Sequence, residues 1–258
     1  MTTFASAAPY YAQYRPTYPD GVFDLLTNRF ELNGSQAVLD LGCGTGAVAI
    51  PLAPFVRSVD AVDPEPAMLG EGRRIADERG ATGIRWHLGD STTLTGLRLP
   101  PIDLCTMGKS FHWMNQPQVL ADLDRIVAPN GGLAFLSGAR AASRPNWLAA
   151  IEGVAAAYLG PDYRQEHGPV QHPADDRDAT LAQSKFRRIE TTLWKQEFHR
   201  PLDELVGLQF SFSYSSPHVL GAKKDEFERD LRDALLAFDP IGIYHNTVQI
   251  ECTIATRS

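Results

Sequence analysis

The residues with the most chemistry per position lie in Val38-Leu39-Asp40-Leu41-Gly42-Cys43-Gly44-Thr45-Gly46. An apolar run ends in an acid, and a glycine-dense turn follows at once. That order reads as a buried strand feeding a tight loop that opens a helix. Glycines remove side chains where a ligand lies against the backbone, and the helix start beyond them presents unpaired N–H groups. Such a segment suits a nucleotide-like cofactor. Gly42-Cys43-Gly44-Thr45-Gly46-Ala47 also fits the G-x-G-x-x-A dinucleotide fingerprint, which keeps an NAD-dependent oxidoreductase open as an alternative. Two more acids follow. Asp63 ends the second expected strand, about twenty residues on, where one carboxylate can accept from both hydroxyls of a ribose. Asp90, in His87-Leu88-Gly89-Asp90-Ser91, closes a short third strand, and a helix N-cap is its plainer reading.

His112, in Phe111-His112-Trp113, is the candidate general base, because an unperturbed imidazole titrates near neutrality. The alternative is that the His-Trp pair packs over a cofactor. Tyr10, Tyr11, Tyr14 and Tyr18 surround Arg15 near the N-terminus. They read either as a strap on a helix face or as a lid in which Tyr14 or Arg15 reaches the cofactor, Arg15 being suited to a carboxylate. Trp194, Phe198, Phe210, Phe212 and Tyr214 supply core or line an acceptor pocket, and His218 and His245 are further polar candidates. No zinc-ligand spacing is present. Gly108-Lys109-Ser110 lacks the upstream glycine of a phosphate loop. Asp175, Asp176 and Asp178 sit in a polar stretch and read as solvated charge, not as a metal cluster.

These groups need a scaffold that brings strand ends together. From about Tyr18 to Gly138 helix-like and strand-like segments alternate. Strands are expected over 37–41, 56–62, 84–88, 102–107 and 133–136, and helices over 19–30, 45–55, 64–79 and 116–128. Pro64 suits a first helical turn, Pro51 is awkward inside its helix, and Pro129-Asn130-Gly131-Gly132 reads as a turn. Repeated strand, helix and strand imply a parallel α/β sheet with helices on both faces, binding ligands at the carboxyl ends of the strands. Beyond Gly138 the pattern changes to a helix over 146–158, a polar loop over 160–178, an extended stretch over 186–198, an aromatic-rich stretch over 201–216, a helix over 223–238 and an alternating strand over 243–254. On the helix over 223–238, Phe227, Leu231, Leu235 and Phe238 align. Two late strands with helices around them suggest a sheet finished by a hairpin and a cap within one domain, residues 1–258: a lid over 1–34, a cofactor-binding core over 35–138, and cap insertions with the final strands over 139–258.

Composition bounds the partners. The net charge of −7 and the lack of a Lys/Arg stripe argue against a nucleic-acid substrate. Cys43, Cys105 and Cys252 are far apart and odd in number, the pattern of reduced core thiols. No segment approaches membrane-spanning length, so a cytoplasmic protein that meets neither membrane nor nucleic acid is expected.

Taken in order, these elements resemble the class I S-adenosylmethionine-dependent methyltransferases over roughly Tyr10 to Leu136, and more weakly to the C-terminus. Val38 to Gly46 matches the glycine motif, Asp63 the ribose-binding acid, Asp90-Ser91 the adenine-edge position, Ile102 to Met107 the fourth strand, and Pro129 to Gly132 the turn before the fifth. Tyr14-Arg15-Pro16-Thr17-Tyr18-Pro19 and Phe111-His112-Trp113 look like a branch that includes small-acid methyltransferases similar to trans-aconitate methyltransferase. The resemblance implies a Rossmann-like, seven-stranded, mostly parallel sheet with an antiparallel last strand. It implies S-adenosyl-L-methionine as cofactor and a small-molecule acceptor methylated on oxygen, nitrogen or carbon. It places Tyr14, Arg15, Asp40, Gly42, Gly44, Gly46, Asp63, Pro64, Met68, Asp90, Ser91, Gly108 and Trp113 at the cofactor, with Asp40 near the methionine amino group or else stabilising the turn. A nucleic-acid amino-methyltransferase is expected to carry an Asn/Asp-Pro-Pro-aromatic turn, where this chain has Thr106-Met107-Gly108-Lys109-Ser110. A protein that binds the cofactor without turnover remains a reading on the same fold.

Overall fold

A computed structural model describes residues 3–137, 140–141, 144–163 and 177–258. The polar loop expected over 160–178, with Asp175 and Asp176, falls largely outside the described residues. The described strands are β1 (Ala37–Leu41), β2 (Ser58–Asp63), β3 (Ile84–Leu88), β4 (Ile102–Gly108), β5 (Val127–Leu136), β6 (Arg140–Ala141), β7 (Arg188–Pro201) and β8 (Ile243–Thr256). The described helices of four or more residues are α1 (Thr3–Tyr14), α2 (Asp20–Arg29), α3 (Ala49–Leu52), α4 (Pro66–Glu78), α5 (Gln116–Ile126), α6 (Leu148–Leu159), α7 (Arg177–Ala182), α8 (Leu202–Phe210), α9 (Pro217–Leu220) and α10 (Lys224–Phe238).

The chain divides into two compact units. A sheet unit takes Thr17–Ala139, Gln171–Trp194 and Ile250–Ser258, and a helical unit takes Met1–Pro16, Arg140–Val170 and Lys195–Gln249. Strand pairing runs β3-β2-β1-β4-β5-β8-β6, with β7 paired to β8 as an eighth strand off that path. β1 to β5 pair in parallel, and β8 runs antiparallel to β5, from Gly132 opposite Thr256 to Leu136 opposite Cys252. The sheet is therefore mostly parallel with an antiparallel last strand.

In the sheet unit, β1 is buried at every position, as expected of a central parallel strand that is apolar except at Asp40. Leu39 and Leu41 join Val119, Leu120 and Leu123 of α5 in one cluster with Met107, Phe135 and Ala255. Asp40, between those leucines, bonds to α3 instead. Successive strand residues face opposite sides, so helices cover both faces. α5 begins at Asn115, whose side chain accepts from the Gln118 N–H, and its apolar positions recur every three to four residues.

Several boundaries differ from the sequence expectation, each for a physical reason. The helix expected over 45–55 shrinks to α3 and a 3-10 turn, Ala53–Phe55, because Pro51 and Pro54 remove two donors from its ladder. The helix expected from Pro64 starts at Pro66, because the Glu65 side chain accepts from the Ala67 N–H and caps it there. Pro129 to Gly132 is not a turn; it lies inside β5 beside a register shift between Ile102 and Leu104. A Cβ on Gly131 would stand 2.7 Å from the Asp103 carbonyl oxygen, which is why the irregular strand carries glycine there.

The helical unit has its own core. Trp147, Ile151, Phe210, Phe227, Leu231, Leu235 and Tyr244 cluster with α6, α8 and α10 supplying most of the side chains. The aligned stripe on α10 is buried at Phe227, Leu231 and Leu235, but Phe238 at its end is 48 % exposed. Of the aromatic set, Phe210 is core, Phe212 and Tyr214 stack at 5.1 Å, and Phe198 lies under the Arg200 guanidinium at 3.9 Å. Trp194 belongs to the sheet unit and packs against Gly21.

Candidate active site

The glycine turn leaves β1 and is stitched to the end of β2. Gly42, Gly44 and Gly46 have φ of +71°, +54° and +82°, a region that L side chains avoid. The N–H groups of Gly42 and Cys43 donate to the Val62 carbonyl at 2.8 and 3.0 Å. The Gly44 N–H donates to Asp63 Oδ2 at 2.8 Å, and Asp63 Oδ1 accepts from the Glu65 N–H at 2.9 Å. Burial pushes the Asp63 carboxyl up, and these two backbone bonds pull against it without cancelling the rise. Each carboxylate oxygen carries one such bond and keeps acceptor capacity for a second donor, so the group can take both hydroxyls of a vicinal diol.

Two of the three glycines have packing reasons besides ligand approach. A Cβ on Gly42 would stand 2.4 Å from Ser110 Cβ, and one on Gly46 would stand 2.8 Å from the Trp86 ring. Ser110 Oγ donates to the Leu41 carbonyl at 2.6 Å and so ties the strand end to the segment after β4. Asp40 is 1 % exposed. Its Oδ1 accepts from Thr106 Oγ1 at 2.7 Å and its Oδ2 from the Ala49 N–H at 3.1 Å. Burial outweighs both bonds and pushes its carboxyl up to about 7. Asp40 is a strut under the turn in this arrangement. Thr106 and Ser110, which the sequence reading passed over, hold the turn from β4; two hydroxyl residues at the end of an apolar strand are the signal that marks them.

The other candidates divide by unit. Gly108 ends β4, with Tyr18 Oη 3.0 Å from where its Cβ would be, and Lys109 follows at φ +57°. Such a backbone on a lysine costs roughly 1 kcal/mol and marks a constrained bend at the strand's carboxyl end. Met68 is buried in the first turn of α4, and Pro64 is exposed just after Asp63. Asp90 is exposed; its Oδ1 accepts from the Thr92 N–H at 2.8 Å and from Thr92 Oγ1 at 2.6 Å, an Asx turn rather than a helix cap. Those bonds hold its carboxyl below the usual range. Ser91 follows it in the same turn. His112 and Trp113 form a short 3-10 turn after β4, ring centroids 5.6 Å apart, His112 exposed and Trp113 47 % exposed.

Tyr14 and Arg15 belong to the helical unit. Tyr14 packs on Gly207, where a Cβ would stand 2.3 Å from its ring. The Arg15 guanidinium lies over Tyr11 at 4.9 Å and Phe212 at 4.2 Å, and donates to the Ser211 carbonyl at 3.1 Å. His245 stands edge-on to His199 at 4.3 Å, and the His218 N–H donates to Ser6 Oγ. No group of three or more metal-ligating side chains occurs among the described residues.

Residues 38–131, which include the glycine turn, Asp63, Asp90 and His112, match the family model described as a methyltransferase domain. Over those residues the chain is similar to methyltransferases. It is similar to an uncharacterized methyltransferase-like protein of Schizosaccharomyces pombe, 26% identical over 61% of this chain and 59% of that one. It is also similar to an uncharacterized methyltransferase of Mycobacterium tuberculosis, 29% identical over 98% of this chain and 96% of that one. The chain thus spans about half the length of several fungal relatives it matches, with 59%, 43% and 56% of theirs aligned, and nearly all of the mycobacterial one. Among solved structures, one described as a type II methyltransferase from Anaeromyxobacter dehalogenans superposes with TM-score 0.59 at 20% identity, covering 95% of this chain and 98% of that chain. An N-methyltransferase of Haemonchus contortus in complex with S-adenosylhomocysteine superposes at 0.56 and 13% identity, covering 98% of this chain and 56% of that chain. These likenesses show that the chain has a Rossmann-like fold.

Proposed function

We propose that the protein transfers a methyl group from S-adenosylmethionine to a small-molecule acceptor. The observation that carries this reading is the Asp63 carboxylate, fixed beside the glycine turn by the Gly44 N–H with acceptor capacity left over. An acid so held fits the ribose diol of a nucleoside, and Asp90-Ser91 fits its base edge. The Haemonchus relative, in complex with S-adenosylhomocysteine, supports that nucleoside being the adenosyl group. The sheet disfavours NAD. A dinucleotide fold builds two parallel halves around its crevice, whereas here antiparallel β8 takes the place beside β5 that the second half needs.

Bound S-adenosylmethionine supplies an electrophilic methyl group on a sulfonium sulfur. The chain's residues position and shield it. Asp63 holds the ribose, the bend at Gly108 and Lys109 sets the wall after β4, and Trp113 offers an electron-rich face to a cation. His112 accepts the proton of an acceptor whose nucleophile carries one. Acceptor choice falls to segments outside the matched residues 38–131. The net charge of −7 suits a metabolite better than nucleic acid. No described helix is long and apolar enough to cross a membrane, and the buried free thiols of Cys43, Cys105 and Cys252 suit the cytoplasm.

Calorimetric titration of the full chain with S-adenosylmethionine and with NAD tests the cofactor. Binding of the first is expected, weakened at least about tenfold in Asp63→Ala, the loss of a charged hydrogen bond. Binding of NAD instead, or an Asp63→Ala protein of unchanged affinity, overturns the reading. Labelled cofactor incubated with a metabolite panel separates an enzyme from a binder, since only an enzyme passes the label on.

A further inference from the structure

The opposite face of β2 from Asp63 carries a second polar site. Ser58, Asp60 and Val62 register with Ala37, Leu39 and Leu41 of β1, the face that α5 covers farther along the sheet. Arg85 and His87 of edge strand β3 register with Asp60 and Val62 on that same face. The only helical element in the connection from β3 to β4 is the three-residue 3-10 turn Leu94–Gly96, followed by the strip 97–101. Among the described residues no helix seals β2 and β3 on this side, and a cleft of about 810 Å³ remains, lined by Arg57, Ser58, Asp60, Arg85, His87 and Arg98, with residues 96–100 as one wall.

Its floor is set in advance. Asp60 is 1 % exposed and accepts from Arg85 Nε at 2.7 Å, while His87 Nε2 lies 2.7 Å from its Oδ1. Burial pushes the Asp60 carboxyl up, but the Arg85 and His87 bonds outweigh it and hold the group below its usual range. The carboxylate is thus spent within the protein. Arg85 also reaches Ser58 Oγ at 3.3 Å. On the rim, Arg57 and Arg98 are exposed and make no ion pair among the described residues. Three guanidinium groups therefore face one occupied carboxylate, in a chain whose net charge is −7. Exposed Arg74, Arg125 and Arg229 pair with an acid on their own helix, whereas exposed Arg73, Arg79 and Arg188 make no ion pair among the described residues but do not converge on this cleft. Two unpaired forks over a fixed polar floor match the oxygens of phosphate or carboxylate groups, which guanidinium binds in a planar, two-bond fashion.

We propose that this cleft binds a small polyanion bearing phosphate or carboxylate groups, at a site separate from the glycine turn. The test titrates the full chain with sodium pyrophosphate and, in a second arm, with citrate, at low ionic strength. At least one is expected to bind with a Kd below about 1 mM, and the tighter of the two names the anionic group. Arg57→Ala/Arg98→Ala is expected to weaken that binding at least about tenfold. The exposed pair Lys185→Ala/Arg188→Ala is expected to leave it within about twofold. S-adenosylhomocysteine is expected neither to compete with the anion nor to lose affinity in the cleft variant, so the result stands apart from the cofactor assignment. No binding of either anion up to roughly 10 mM overturns the proposal. So does weakening by both double variants alike, which marks diffuse attraction, or displacement of the anion by S-adenosylhomocysteine.

Discussion

A carboxylate that never meets solvent holds its proton longer than one that does, and Asp40 is such a group. Folded, its carboxyl titrates at about 7; unfolded, it titrates near 4. The folded state then binds the proton more tightly, so Asp40 costs stability as pH climbs from about 4 to about 7, by up to roughly 4 kcal/mol, and the cost stays in place above that. Asp40→Asn removes it while keeping both contacts: the amide oxygen can accept from Ala49, and the amide can donate to Thr106, whose hydroxyl proton can turn to the Leu39 carbonyl 3.5 Å away. The Tm of the variant relative to the parent is expected to rise between about pH 4 and pH 7 and to level off above that. A difference that is flat across that range would remove the case for a protonated Asp40. His112 is exposed and sits in the turn after β4. Replacing it with Gln is expected to lower kcat about a hundredfold for an acceptor that must lose a proton, with cofactor affinity within about twofold of the parent. Weakened cofactor binding at normal kcat would make it a packing residue. Asp63 could be read from sequence because its signal is local: an acid closing an apolar run. Thr106 and Ser110 show only as hydroxyls at the end of an apolar strand, and their role is not local, because the groups they bond lie 66 and 69 residues away along the chain.

The turn between β1 and α3 depends on backbone geometry that a methyl group destroys. Gly42→Ala meets both a φ of +71° and a Cβ 2.4 Å from Ser110. It is expected to lower stability by at least about 2 kcal/mol, read by urea denaturation, and to abolish measurable cofactor binding. A stable variant that still binds would show that the turn is more compliant than drawn. β1, β3 and α10 were legible to within a residue or two because their apolar periodicity is unbroken. A helix over 45–55 is not realised because two prolines cut a good apolar pattern. Residues 129–132 read as a turn in sequence because glycine's second use, admitting a neighbouring carbonyl inside a strand, has the same signature. The cleft beside β3 was invisible for a different reason: it exists through a helix that the β3 to β4 connection lacks.

The C-terminal segment completes the sheet unit. Cys252, Ile254 and Ala255 of β8 are buried against β5, and the Arg257 guanidinium donates to the carbonyl oxygens of Asp124, Val127 and Ala128. A chain ending at Gln249 is expected to lose cooperative thermal unfolding, seen by calorimetry, because β5 becomes an apolar edge. All three thiols are buried, and burial raises each: Cys43 and Cys105 well above the ordinary range, Cys252 to about 12. A disulfide-exchange reagent is therefore expected to titrate no thiol in the native protein and three in denaturant. The six segments of the two units alternate along the chain, so the backbone passes between units five times. Inheritance feels this directly. A crossover between two genes exchanges one contiguous stretch, and no single stretch contains the helical unit. Replacing the helical unit as a whole would take three separate exchanges along the chain.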